Sequence, residues 1–186
     1  GLGVNLGEPG AFVIPADAVD WLAGLLGRRP DRVDARPVAV HPPVLYGGAF
    51  LLAVALEWLA PLGPQIAWPD GLRHGAASML LVFGLCFAAW AAWLFHRAGT
   101  GIPTWQAARR LVMRGPYAIS RNPMYLGVSA AYAGLALALA NPWALLLLVP
   151  VLIVMDRFVI AREEPYLEAR FGPPYRDYLC RVRRWL

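Results

Sequence analysis

Four apolar runs separated by polar, arginine-bearing blocks set the pattern of the chain. They cover Val44–Leu62, Ala76–Phe95, Tyr125–Ala140 and Trp143–Ile160. The second holds no charged residue in 20 positions. At about 1.5 Å per residue such a helix crosses a hydrocarbon core about 30 Å thick unaided. Only Asn141-Pro142 separates the third run from the fourth, so these two are predicted to fold back as an antiparallel hairpin. The pattern predicts an all-α, polytopic membrane protein with about four transmembrane helices.

Upstream of the first run the pattern is weaker. Residues 1–14 are glycine-rich and aperiodic, and no basic-then-apolar signal segment is evident. Residues 15–27 read as a short helix, with Pro15 in its first turn and Val19, Leu22, Leu25 and Leu26 on one face. Arg28, Arg29, Arg32 and Arg36 follow, as in a helix lying in the membrane interface. The chain thus divides into an N-terminal arm, 1–40, and a transmembrane domain, 41–186.

Composition strengthens the membrane reading. Of 186 residues 59% are hydrophobic and 16% charged, against about 25% charged in soluble domains. All 17 basic residues are arginine, and the net charge is +5. These charges flank apolar spans, so a membrane surface accounts for them without nucleic acid. Four arginines precede the first run, five lie between 97 and 121, seven follow from 157 onward, and only Arg73 lies between the first two runs. The alternation places both termini and the 97–122 loop on the cytoplasmic side, in a bacterial inner membrane. Trp58, Trp68, Trp93 and Trp143 stand near run ends as interfacial anchors.

Candidate chemistry lies in residues 97–186, in two polar blocks that the hairpin brings to one side of the membrane. The first contains Leu111-Val112, Gly115-Pro116-Tyr117 and Arg121-Asn122-Pro123-Met124-Tyr125-Leu126-Gly127. The second contains Glu163-Glu164, Phe171-Gly172, Tyr175, Tyr178 and Arg184-Trp185. Ionisable groups near hydrocarbon are costly unless paired or facing a polar cavity. At a spacing of seven, Asp156 is expected to share a helical face with Glu163, and Arg157 with Glu164. Arg121 can clamp a carboxylate bidentately, while Asn122 and Pro123 fit a helix cap and first turn. His41, His74 and His96 lack metal-ligand spacing. Cys86 and Cys180 form no motif, no nucleophile elbow is present, and the lack of alternating strands excludes a Rossmann methyltransferase.

Together the two blocks resemble the isoprenylcysteine carboxyl methyltransferases and their phospholipid methyltransferase relatives, over about residues 97–186. Asn122 stands where the eukaryotic carboxyl methyltransferases usually carry His; bacterial relatives often carry Asn there. The resemblance implies S-adenosylmethionine as cofactor, in a cytoplasmic pocket formed by the loop before the third helix and the C-terminal tail. By resemblance, Leu111, Val112, Gly115 and Tyr117 line it, with Asn122 and Tyr125 nearby. Glu163 and Glu164 bind ribose hydroxyls or the methionine ammonium, and Tyr175 and Tyr178 help close a lid. Arg121, Glu163 and Glu164 are the catalytic candidates.

The chemistry so implied needs alignment of nucleophile, methyl carbon and sulfur with water excluded. A carboxylate acceptor needs no base, whereas an amine or phenol needs one, with Glu163 or Glu164 nearest. The expected partners are membrane lipids and a lipophilic or lipid-anchored substrate reaching the site sideways between helices. Two other readings are an NADPH-dependent sterol-type reductase and a non-catalytic scaffold. All depend on one expectation: that Arg121 and the glutamate pair wall a single nucleotide-sized cavity.

Overall fold

The computed structural model describes residues 14–15, 41–62, 68–98 and 110–186. Helix α1 spans Pro42–Leu59 and α2 spans Asp70–Arg97. A one-turn 3-10 helix, Gly115–Ala118, leads into α3, Pro123–Ala138. Helix α4, Pro142–Val154, continues through a π-helical stretch, Met155–Ile160, into α5, Ala161–Phe171. Helix α6 is Pro173–Arg181. Prolines open α1, α3, α4 and α6, where the missing N–H costs no helical hydrogen bond.

Three of these helices are long and apolar enough to cross a membrane: Pro42–Leu59, Asp70–Arg97 and the continuous Pro142–Phe171. The fourth expected span is the shorter apolar helix α3, of 16 residues. Large apolar side chains point outward along these helices, among them Leu51, Met79, Val82, Phe83, Leu146 and Ile153. Exposed apolar surface on that scale suits lipid as the surrounding solvent.

With lipid outside, the interior is held by close approach and by buried polar bonds. Helices α2 and α3 meet through glycine. A methyl group on Gly84 would lie 2.5 Å from the Gly127 carbonyl oxygen and closer still to the Ala131 nitrogen. One on Gly134 would lie 2.6 Å from the Leu81 nitrogen. Helix α1 joins α3 through the Tyr46 hydroxyl and Ser129 Oγ, 2.7 Å apart. Tyr132 meets Phe50 edge-on at 5.2 Å.

The Asn141-Pro142 hairpin forms as the sequence predicts. The Asn141 side chain accepts from the Ala144 N–H at 2.9 Å, and its amide donates to the Ala53 carbonyl of α1 at 3.3 Å. A single buried residue therefore caps α4 and fastens the hairpin to α1. Trp143 Nε1 adds a bond to the Ala60 carbonyl at 2.9 Å.

Near the N-terminus, Ile14–Pro15 forms a two-residue strand antiparallel to Arg110–Leu111. Pro15 is therefore extended, not the first turn of a helix; a ring that supplies no N–H sits comfortably at a strand edge. The rest of the predicted 15–27 helix lies outside the described residues.

Candidate functional site

The hairpin returns the chain to where it entered, and the two polar blocks meet. Between them is a cavity of about 60 Å³. From the first block Leu111, Val112, Tyr117, Arg121 and Asn122 line it; from the second, Glu163, Glu164, Tyr175 and Tyr178. Phe95, Ile160, Leu167 and Phe171 complete the wall. These four are apolar residues within helices, and nothing in the linear pattern separates them from ordinary core.

Gly115, expected in the lining, stands elsewhere, and Tyr125 stands beside the site, as expected. Gly115 adopts φ 60°, and an added Cβ would lie 2.9 Å from Leu94 Cδ1, so it is a turn packed against α2. Tyr125 is behind the wall, its hydroxyl donating to Glu163 Oε1 at 3.1 Å. The expected nucleotide-sized space is not open in this conformation. Pockets for such ligands run to about 300 Å³ or more, and a cavity of about 60 Å³ holds a few waters.

The expected sharing of faces is overturned by the π-helical stretch. A π turn accommodates one residue more than an α turn, so the face is reached after eight residues rather than seven. Asp156 and Glu164 therefore converge on one guanidinium, that of Arg184. Nη1 of Arg184 bonds both Asp156 oxygens at 3.2 and 3.1 Å, while Nε and Nη2 bond Glu164 at 3.1 and 2.5 Å. Arg157 reaches Asp156 at 3.6 Å rather than Glu164. Glu163 is turned away from this network toward Tyr125.

Arg121 closes the network from the first block, its Nη1 2.8 Å from Glu164 Oε1. Arg121 and Arg184 balance Glu164 and Asp156, with the exposed Arg157 at the edge of the network. Glu163 is left without a cationic partner among the described residues. The Arg121 Nε and the Tyr117 hydroxyl are both buried and have no hydrogen-bond partner. Buried polar atoms of this kind are rare and point to a missing ligand or water.

Asn122 stands at the start of α3 without making a side-chain cap. Its amide donates instead to the Arg184 carbonyl at 3.0 Å, which also accepts from Ser120 Oγ at 3.3 Å. The Arg121 N–H donates to the Arg183 carbonyl at 3.0 Å, and Trp185 Nε1 to Asp156 at 3.0 Å. The sequence marks Arg184-Trp185 as part of the second block. It carries no sign that these residues bind the first.

Tyr178 donates its hydroxyl to the Tyr117 carbonyl at 2.6 Å, tying α6 to the 3-10 turn. Burial pushes the phenols of Tyr117, Tyr175 and Tyr178 above their usual range. All three are therefore neutral hydrogen-bond donors near neutral pH. The Arg184 guanidinium is held charged by its bonds to Glu164 and Asp156.

The sequence pattern of phospholipid methyltransferases matches residues 72–173, more than half of the chain. The chain belongs to the phospholipid methyltransferase family. Membership makes it a membrane methyltransferase of lipid-type substrates. The family match begins in α2 and ends at the start of α6, so it contains the hairpin and both glutamates. An uncharacterized protein of Haemophilus influenzae is 44% identical over 63 residues, 34% of this chain and the whole of that protein. No solved structure matches the chain.

Proposed function

We propose that the chain uses S-adenosylmethionine to methylate a lipophilic acceptor at the Glu163 cavity, in the manner of the isoprenylcysteine carboxyl methyltransferase-like branch of its family. The observation that carries this reading is the uneven use of the two glutamates. Glu164 is neutralised by Arg121 and Arg184, while Glu163 lines the cavity with only a phenol bonded to it.

The residues present suit that cofactor. It bears an ammonium, a sulfonium and a carboxylate, a net positive charge. Glu163 offers the matching negative charge, and the unpartnered Arg121 Nε and Tyr117 hydroxyl offer donors to a carboxylate or a ribose oxygen. Nicotinamide dinucleotide phosphate would need free cations for its phosphates. The two arginines here are spent on Glu164 and Asp156, so the charge balance favours a cationic ligand.

Bound, the cofactor supplies an already activated methyl group. The chain's own residues then have four tasks. Glu163 holds the cationic group, and Tyr125 fixes the rotamer of its carboxylate. Leu111, Val112, Ile160 and Phe171 exclude water, which strengthens those polar contacts. Arg121 and Arg184 hold Glu164 so that it neither competes for the ligand nor acts as base. For an amine or phenol acceptor the Glu163 oxygen not bonded to Tyr125 takes the proton; a carboxylate acceptor requires none.

The acceptor's apolar part has a place to lie. A groove of about 560 Å³ between α1 and α4 is lined by Val44, Leu45, Leu52, Leu147, Val151 and Val154. It sits at the α1 start and the α4 end, the half of the bundle that also carries the charged site. The arginine distribution supports a cytoplasmic side for that end, in a bacterial inner membrane by this proposal.

The test is methyl transfer. Purified protein in lipid nanodiscs, given methyl-tritiated S-adenosylmethionine and extracted bacterial lipids, should yield labelled organic-phase product. The Glu163→Gln protein should yield far less at a cofactor concentration below saturation. Failure of the cofactor to bind by calorimetry, or labelling undiminished by Glu163→Gln, overturns the proposal; the second result is also what a non-catalytic scaffold carrying contaminating activity would give.

A further inference from the structure

After Arg181 the chain leaves α6 and becomes extended at Val182, with φ −122° and ψ 132°. Residues 183–185 then cross the segment that opens α3. This strap has no helix or sheet of its own. It is held by backbone acceptors at Arg183 and Arg184, by the Arg184 guanidinium, and by the Trp185 indole.

Its partners are informative. The Asn122 and Glu164 side chains hold the strap and also line the cavity, and Arg121, whose side chain lines it too, holds the strap through its backbone N–H. They are three of the four most polar groups there, with Glu163 the fourth. Strap and ligand thus draw on one set of donors and acceptors. The cavity they enclose, about 60 Å³, is several-fold too small for a nucleoside, for which about 300 Å³ is the lower bound. Part of the wall must move.

The other walls are poor candidates for that movement. Ile160 and Phe171 are fully buried, and Tyr178 anchors α6 by a buried bond. The strap differs. Its central ion pairs join side chains that are 31% (Arg184), 18% (Glu164) and 25% (Asp156) exposed. Partly exposed contacts of this kind exchange with water more readily than fully buried walls, and segments with few buried apolar contacts open first.

We propose that residues 183–185 form a latch: Asp156 and Glu164 hold Arg184 across the site, and a nucleoside ligand is admitted when that grip is released. The latch rests on the cofactor reading above. Asp156 is its separable part, because it grips Arg184 and Trp185 and does not line the cavity. Arg184 is in this sense a positioning residue, acting on the ligand through Glu164 and Asn122.

The experiment uses the full chain in nanodiscs with a nitroxide on Leu186→Cys. Leu186 is exposed, and the exposed Cys86 and Cys180 are first changed to serine. Stopped-flow binding of S-adenosylhomocysteine gives the rates. Asp156→Asn should enlarge the mobile component of the nitroxide spectrum without ligand. It should also speed both association and dissociation by about ten-fold, the loss expected for one charged hydrogen-bonded contact. Trp185→Phe, which deletes one bond from the same carboxylate, should do both more weakly and guards against misfolding of the first variant. The latch is overturned if the ligand binds and its association rate is indifferent to both changes, or if the nitroxide is not loosened by either. Absence of binding in every version removes the cofactor reading instead, and the latch with it.

Discussion

The α2–α3 contact and the charged end of the bundle are built on opposite principles. Where α2 and α3 approach most closely, Gly84, Gly127 and Gly134 bring backbone against backbone. At the charged end the contacts run through the longest and most adjustable side chains, Arg121, Arg184 and Glu164, with partial exposure. The first region has one arrangement or none. The second can exchange its bonds one at a time. A membrane enzyme whose outer surface is lipid needs both, because burial of apolar side chains against lipid contributes little to holding the helices together.

The sharpest way to break this comparison is to load the rigid side. Gly84→Leu should abolish the folded protein, since even a Cβ would overlap the Gly127 carbonyl oxygen. Clashes of this kind cost about 3 kcal/mol or more, and size-exclusion chromatography with thermal unfolding in detergent will show it. On the adjustable side Glu163→Gln should leave the unfolding temperature within a few degrees. It should weaken cofactor binding about 100-fold in calorimetry, the upper range for a charged hydrogen bond. Arg121→Ala removes one of the two cations on Glu164 and should weaken binding about ten-fold.

The buried phenols give a pH signature. Tyr117, Tyr175 and Tyr178 ionise at a higher pH in the folded chain than in the unfolded one. Their stabilisation is therefore complete below the ordinary phenol value of about 10 and is lost as pH rises beyond it. The unfolding temperature should be insensitive to these groups up to about pH 10 and then fall. The smallest effect expected is that of Tyr178→Phe, which deletes the bond to the Tyr117 carbonyl. It should cost about 1 kcal/mol, and the alkaline fall should become shallower.

Local sequence signals account for much of this. Asn141-Pro142 gives the hairpin because a capping side chain and a first-turn proline act within a few residues. Once the hairpin is granted, Arg121 and the glutamates must meet. Most of the lining came from the resemblance instead, which pointed to Leu111, Val112, Tyr117, Tyr175 and Tyr178. What was not legible depends on structure that local pattern does not encode. The π-helical stretch has no composition of its own and shifts the face presented after it. The pairing of Arg184 with Asp156 and Glu164 is a long-range contact of side chains with no periodicity. The role of Gly84 requires knowing its partner helix.

The six residues Met155–Ile160 carry a consequence for how this site can change over generations. Losing one codon there would restore ordinary winding and leave the downstream faces where they are, because a spacing of seven in an α-helix matches a spacing of eight across the π turn. Glu164 would still face Arg184 and Glu163 would still face the cavity, each one number earlier in the sequence. Two chains can thus keep the same working carboxylate although its distance in residues from Asp156 differs by one. Homologues that differ by one position in this stretch should be aligned on geometry before their glutamates are equated.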